Sequence, residues 1–444
     1  MLKTLRDALK VQDIRKRLLY TFFILVVVRI GCQIPIPGTD SSVITQLTKQ
    51  FSNGAFSFFD AMTGGSFENM SLFCLNITPY ITASIIMQLL TIAIPALEEM
   101  QKDGEEGRKK IAEITRYMTI VLALIESIAM AIGFGSQGLF GDVASMSKAK
   151  YVGIIAVSVI TMTAGSALIM WLGETVTEHG VGNGISIVLL INIISRIPND
   201  YASLIDKYVV NGSSVGAKGL GAILIVAATL VIVALVCILQ GGERRIPVQY
   251  AKKVQGRKMV GGQSSHIPLK VNTAGVIPII FAQSILQFPV LIARFATGGT
   301  PEWTYYLSSN HWCDFGSLSS AKYSIGFIVY ILMVVGFAYF YTSITFNPME
   351  VADNMKKQGG FIPGIRPGKP TTEYLNSILN FIVFIGAVGL LIVASIPILF
   401  SGVTGSNLSF GGTSIIIIVG VVLETIKQIE SLMVVRSYKG FLTE

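Results

Sequence analysis

Apolar runs separated by short charged or turn-rich breaks repeat along the whole chain. We predict a membrane-spanning helix in each of ten runs, at residues 18–34, 73–92, 117–134, 152–172, 184–197, 219–240, 273–293, 325–346, 375–397 and 413–433. About 20 apolar residues cross the hydrocarbon core of a bilayer, and most of the runs approach that length. Because backbone polar groups in lipid are satisfied only within helices or closed barrels, the pattern predicts an all-α integral membrane protein.

Composition agrees with this prediction. Of the 444 residues, 52% are hydrophobic and only 14% are charged, whereas a soluble domain is about 25% charged. The four cysteines include no CxxC pair. Neither a disulfide framework nor a zinc site is therefore predicted.

The formal net charge of +8 could indicate either a nucleic-acid ligand or a membrane topology. With ten spans both termini lie on one side, and the loops of that side hold 25 of the 34 Lys and Arg residues. The opposite loops hold 8, and Arg29 lies within span one. By the positive-inside rule, both termini are predicted to be cytoplasmic. We predict no direct binding of free nucleic acid, while contact with RNA through a bound ribosome stays open.

The spans divide into two sets of five, at 1–197 and 198–444, as in transport folds whose inverted repeats surround a central pathway. Helix-perturbing residues open corresponding members of the two sets: Asn76 and Pro79 in span two, Asn272 and Pro278 in span seven. Irregular backbone in a membrane is tolerated where it lines a cavity. A proline kink absorbed by ordinary packing is the alternative for each residue alone.

No enzyme emerges from the motifs. Gly133, Gly135 and Gly138 form a lone GxGxxG at the end of span three, whereas a dinucleotide site requires a preceding strand. Walker A and HExxH patterns are absent, and the three histidines fall in separate loops. We predict no enzymatic activity, no cofactor and no metal site.

Charged residues inside the predicted spans are few. Arg29 lies about one turn from the outer end of span one, and we expect its side chain to snorkel to the interface. Glu126 lies deeper in span three, with no assigned partner. A secondary solute transporter is the first alternative function, but ion-coupled carriers ordinarily need more carboxylates at the midplane. An intramembrane enzyme is a more distant alternative.

The 54–71 segment, GAFSFFDAMTGGSFENMS, lies between spans one and two. Its aromatic residues are too apolar to face water together, yet its charged residues and glycines prevent a full span. A short re-entrant helix buried in protein fits this composition. An outer loop packed on the helix ends fits it equally well.

Two long loops, at 241–272 and 347–374, are predicted on the cytoplasmic side. The second has a tip around Arg366 that is rich in Gly and Pro, with Gly359, Gly360, Pro363, Gly364, Pro367 and Gly368. Ordered turn chemistry of this kind predicts a shaped projection onto which a partner docks.

Six long motifs stand in order along nearly the whole chain. They are NITPYITASIIMQLL at 76–90, EEGRKKIAEITRY at 105–117, GETVTEHGVGNGISI at 173–187, GGQSSHIPLKVNTAGVIPIIFA at 261–282, NPMEVADNMKKQGGFIPGIRPGKPT at 347–371 and GGTSIIIIVG at 411–420. Through these motifs the chain strongly resembles the SecY family, the channel subunits of bacterial Sec translocons. The resemblance implies a protein-conducting channel that passes unfolded preproteins and releases hydrophobic segments into lipid.

The resemblance also implies site residues. A lateral gate would lie between spans two and seven, which carry Asn76, Pro79, Asn272 and Pro278. A plug would be formed by the 54–71 segment, with Phe58, Phe59, Met62, Gly64 and Gly65. An apolar pore ring would consist of Ile81, Ile85, Leu189, Ile193, Ile280 and Ile417. Leu189 stands where the family usually has isoleucine, which leaves the ring apolar.

Partners follow from the same resemblance. Small membrane subunits, SecE and SecG, would assemble with the chain in the bacterial plasma membrane, which is the inner membrane. The SecA motor or a ribosome would dock on the cytoplasmic face, at Arg257, Lys258, Lys357 and Arg366. An unfolded preprotein with its signal peptide would be the substrate, and membrane lipid would receive its hydrophobic segments.

Overall fold

The protein is mostly helical, and each of the ten predicted apolar runs lies on a helix. The computed structural model describes residues 6, 8–40, 62–135, 138–141, 147–205, 215–250, 253–255, 258–260, 264–297, 301–307, 324–404 and 412–440. Before the sheet the helices are α1 (Gln12–Gly31), α2 (Thr78–Ala93), α3 (Pro95–Lys102), α4 (Glu105–Gly135), α5 (Lys148–His179), α6 (Gly184–Ile205) and α7 (Val215–Gly241). The strands are β1 (Glu243–Tyr250), β2 (Lys253–Gln255), β3 (Lys258–Val260), β4 (Ser264–Lys270) and β5 (Gly360–Phe361). The remaining helices are α8 (Ile277–Thr297), α9 (Trp303–Leu307), α10 (Ile325–Thr345), α11 (Pro348–Lys357), α12 (Lys369–Thr404) and α13 (Gly412–Gly440).

Several helices are long and apolar enough to cross a bilayer. Within the described residues four qualify: α4, α5, α10 continued by α11, and α12. A fifth qualifies if α2 and α3, which meet at a bend of 101°, form one broken span. Pro95 begins α3, and Ile94 before it is extended, as expected for a residue that precedes proline.

Packing joins the helices of residues 1–197 to those of 198–444. In the first set, α4 packs against α2 and α5; in the second, α8 packs against α10, and α13 against α7 and α12. Among the contacts that connect the sets are those of α4 with α8 and of α6 with α13. The region around these helix contacts is therefore formed by residues from both parts of the chain.

Both long loops contribute to one small sheet. Strand β1 of the first loop pairs antiparallel with β4 of the same loop and with β5 of the second loop, giving the order β4-β1-β5. Beneath the sheet lies an apolar core whose buried members include Ile246, Val248, Leu269, Ala352, Met355, Ile362 and Leu375. The two long loops are therefore parts of one folded unit.

The two prolines that were predicted to perturb helices lie at the starts of helices and not within them. Pro79 is the second residue of α2, and Pro278 is the second residue of α8. The amide N–H that proline lacks has no intrahelical partner at this position, so proline is tolerated there. The two helices consequently begin alike, each a few residues after the predicted start.

Candidate functional site

Five of the six predicted ring residues meet at one apolar cluster, which we call the central cluster: three are buried in it, and Ile81 and Ile280 are partly buried and pack against it. Its ring members are Ile81 of α2, Leu189 and Ile193 of α6, Ile280 of α8 and Ile417 of α13. The sixth, Ile85, is partly exposed and lies outside this cluster. Four helices from both parts of the chain therefore converge on the central cluster.

Helical periodicity explains which side chains reach the central cluster. Leu189 and Ile193 are four residues apart and share one face of α6, where they are 6% and 3% exposed. Ile417 is 3% exposed on α13. Branched aliphatic side chains offer an ion no replacement for its hydration shell, so a constriction made of them dewets and blocks ions.

The described part of the 54–71 segment is buried among the helices. Met62 belongs to the central cluster, together with Leu189 and Ile193. Phe67 and Met70 belong to a second cluster formed with α4 and α5. Phe58 and Phe59 lie outside the described residues. This burial favours a segment inserted into the protein over a loop resting on the helix ends.

Backbone contacts hold the end of this segment against its neighbours. The Ile36 amide donates to the Met70 carbonyl at 2.9 Å, and the Leu72 amide donates to the Ile34 carbonyl at 2.8 Å. A Cβ on Gly165 of α5 would lie 1.9 Å from the Leu72 carbonyl oxygen. Glycine at this position of α5 therefore allows the segment to lie directly on the helix.

The predicted gate residues occupy buried positions. Asn76 adopts a φ of 50°, donates from Nδ2 to the Met62 carbonyl at 2.9 Å, and accepts a bond from Ser166 Oγ at its own carbonyl, at 3.1 Å. Asn272 is 5% exposed. Its Nδ2 and the Asn76 Oδ1 are both buried without a hydrogen-bond partner among the described residues. Asn76 thus fixes the 54–71 segment to the start of α2.

The structure gives Arg29, which is partly buried, two hydrogen-bond partners within the protein. Its Nη1 donates to the Gly64 carbonyl at 3.3 Å and to Asn192 Oδ1 at 3.4 Å. Sequence reasoning missed Asn192 altogether, because a single buried amide in an apolar helix carries no motif. The sequence did not predict these two bonds, because both partners come from distant parts of the chain.

Three further charged residues, Arg196, Glu68 and Glu126, belong to the 54–71 segment or to the helices around it. Arg196 of α6 is 3.8 Å from the carboxylate of Glu68, and both side chains are partly buried. This ion pair is a second link between the 54–71 segment and α6. On α4, Glu126 Oε2 is buried and has no hydrogen-bond partner among the described residues.

Of the predicted docking residues, Lys357 and Arg366 are exposed on the unit formed by the two loops. Lys258 begins β3, and Arg257 lies outside the described residues. A side-chain hydrogen bond stabilises the backbone at Arg366: the buried Thr371 donates from Oγ1 to the Arg366 carbonyl at 2.9 Å. Gly364 and Gly368 adopt positive φ angles of 83° and 103°, which glycine does at no steric cost.

Arg245, a basic residue of the same unit, forms an ion pair within it. Arg245 on β1 contacts Glu243 at 2.6 Å. Its hydrogen bond holds the pKa of the Glu243 carboxyl below its usual range. Arg366 is exposed, and it makes no ion pair among the described residues.

The chain resembles known proteins along its full length. The sequence model of the SecY family matches residues 71–426. The protein translocase subunit SecY of Streptomyces galbus is 44% identical over 449 residues, and that of Mycobacterium bovis is 40% identical over 454 residues. Each alignment covers 100% of this chain and 100% of the relative.

Solved structures share the fold. A protein-conducting channel is 19% identical, covers 94% of this chain and 92% of its own, and gives a TM-score of 0.65. The channel in the canine ribosome-channel complex from the endoplasmic reticulum is 18% identical, covers 94% and 92%, and gives a TM-score of 0.62. At these identities the similarity concerns the fold alone.

Proposed function

The chain belongs to the SecY family, and from this premise we propose that it is the channel subunit of a protein translocase in a bacterial plasma membrane. The observation that carries the proposal is the central cluster, in which four helices from both parts of the chain enclose the predicted ring. The decisive test is reconstitution into proteoliposomes with a motor and a secretory precursor. Precursor that stays accessible to protease outside the vesicles would contradict the proposal.

Physical chemistry assigns each part a role. The ring residues block ions while the channel rests, and they yield when a chain passes. A gate between spans two and seven lets a segment of the passing chain contact the surrounding lipid. At about −0.3 to −0.6 kcal/mol per central Leu-type residue, a hydrophobic segment gains free energy by leaving sideways, whereas a polar segment continues across. The channel itself catalyses no reaction, so energy comes from a partner.

We propose ten spans in two pseudo-symmetric sets, at 1–197 and 198–444, with both termini in the cytoplasm. The asymmetry of 25 against 8 basic residues in opposite loops supports this topology. Lys148 at the start of α5 and Lys357 at the end of α11 are both exposed. In this topology their side chains lie on opposite sides of the membrane.

Cysteines placed at these two positions test the topology. In oriented vesicles, we expect an impermeant thiol reagent to label Lys357→Cys from the cytoplasmic side and Lys148→Cys from the opposite side. The control is a permeant reagent, which should label both variants. Labelling of both cysteines by the impermeant reagent from one side would rule out the ten-span topology.

We propose that the unit formed by the two loops receives a SecA-type motor or a ribosome, and that SecE- and SecG-type subunits accompany the channel. The exposed Lys357 and Arg366 supply positive charge, and β1 holds both loops in one unit. A motor or ribosomal RNA that presents negative charge would form charge-assisted contacts with these side chains.

Thr371→Val tests whether the shape of the Arg366 tip matters as well as its charge. The substitution keeps the volume but removes the hydrogen bond to the Arg366 carbonyl, which is worth about 1 kcal/mol. We expect motor-driven translocation to fall to an intermediate level at unchanged channel abundance. Thr372→Val is the matched control, because it removes a neighbouring, partly exposed hydroxyl. Equal rates for the two variants would show that the tip needs no such support.

A further inference from the structure

Three distant parts of the chain meet at Gly64. Its carbonyl accepts from Arg29 Nη1 of α1 at 3.3 Å, and the same nitrogen donates to Asn192 Oδ1 of α6 at 3.4 Å. A Cβ on Gly64 would lie 2.7 Å from the Asn192 carbonyl oxygen and 2.9 Å from Arg29 Nη1. With a φ of 65°, Gly64 also has a backbone that other residues rarely adopt. Only glycine therefore fits between the two helices.

We propose that Arg29 and Asn192 are positioning residues that hold residues 62–71, the described part of the 54–71 segment, against the pore ring and so keep the resting channel closed. We call Arg29, Gly64 and Asn192 the Arg29 latch. The proposal rests on the proposed channel function, and it adds the contact that keeps the resting channel closed to ions.

The Arg29 latch is linked directly to the central cluster. Asn192 precedes the ring residue Ile193 on α6, and Met62 lies two residues before Gly64. Met62 packs in the central cluster with Ile193 and Leu189. Because these links are so short, a bond that fixes Gly64 also fixes Met62 in the cluster.

Two features make the Arg29 latch releasable. Both of its bonds, at 3.3 and 3.4 Å, are longer than the ~2.7–2.9 Å typical of strong charge-assisted bonds. Asn192 is fully buried, yet its Nδ2 has no hydrogen-bond partner among the described residues. A buried polar atom left unpaired raises the free energy of the closed state. The closed arrangement is thus held by contacts that an arriving chain can replace.

Arg29→Met and Asn192→Leu each remove one side of the Arg29 latch while keeping most of the side-chain volume. Arg17→Met is the matched control, because Arg17 is on the same helix and donates to a backbone carbonyl, that of Gly180, at the same distance of 3.3 Å. The measurements are ion conductance in planar bilayers without a motor, and labelling of a cysteine at the buried Ser66 in a cysteine-free background.

We expect conductance and labelling at position 66 to rise about tenfold in both latch variants, the size of effect expected for a lost bond to a charged group. The double variant Arg29→Met with Asn192→Leu should be no leakier than Arg29→Met alone, because Arg29→Met already removes both bonds, including the bond to Asn192. Arg17→Met should remain closed. Thermal unfolding of all variants tests for general loosening.

Two results would overturn the latch: an Arg29→Met channel as closed as the unsubstituted protein, or equal leakage in Arg17→Met. Precursor translocation by the unsubstituted protein, measured in the same vesicles, separates this proposal from the proposed function. If that translocation occurs and Arg29→Met stays closed, only the latch fails. If the unsubstituted protein transports no precursor, the channel function fails and the latch with it.

Discussion

Replacing Ile280 and Ile417 together with Ala is expected to make the resting channel conduct ions. Both side chains lie in the central cluster, on α8 and α13. Truncating them widens the constriction and admits water, which removes the dewetted barrier to ions. Conductance in planar bilayers, without motor or precursor, should rise clearly above that of the unsubstituted protein.

The chain offers a closely matched control for this result. Ile279 and Ile416 precede the two ring residues on the same helices, are fully buried, and belong to a different cluster formed with α7, α10 and α12. Ala at these positions removes the same atoms and costs about 2–5 kcal/mol each in stability. It should leave the resting channel closed. If both double variants leak equally, the leak reports loosened helix packing, and the ring assignment is wrong.

Arg366→Glu is expected to abolish motor-driven translocation while leaving a folded channel in the membrane. Arg366 is exposed at the tip of the second loop. Reversing its charge replaces an attractive contact with a repulsive one, which at a docked interface costs several kcal/mol. Fold and topology should survive, because the side chain is outside the apolar helices. Transport of a precursor into vesicles is measured at matched channel abundance, alongside binding of the motor.

Lys110→Glu provides the control for charge. Lys110 is exposed near the start of α4 and is predicted on the same side of the membrane, so the substitution changes the net charge equally. We expect near-normal transport and motor binding from this variant. Normal transport by Arg366→Glu would reduce Arg366 to a determinant of topology, a role that Lys356, Lys357 and Lys369 already fill.

The sequence alone determined the helices and the family. Each predicted apolar run lies on a helix, because the length and continuity of an apolar run are local properties that the chain displays directly. Six long motifs in the same order as in the SecY family identified the family. A match of that combined length is much less probable by chance than a match to a short pattern. Proline and glycine positions also marked the start of α2 and the turns around Arg366.

The tertiary structure decided which of these residues meet. It placed Ile85 outside the central cluster and joined two separately predicted loops through β1 and β5. It also directed Arg29 toward Gly64 and Asn192, which are 35 and 163 residues away in the chain. Hydrophobic pattern specifies that a face is buried, but not against which neighbour, because contacts between distant segments depend on how all the helices pack together.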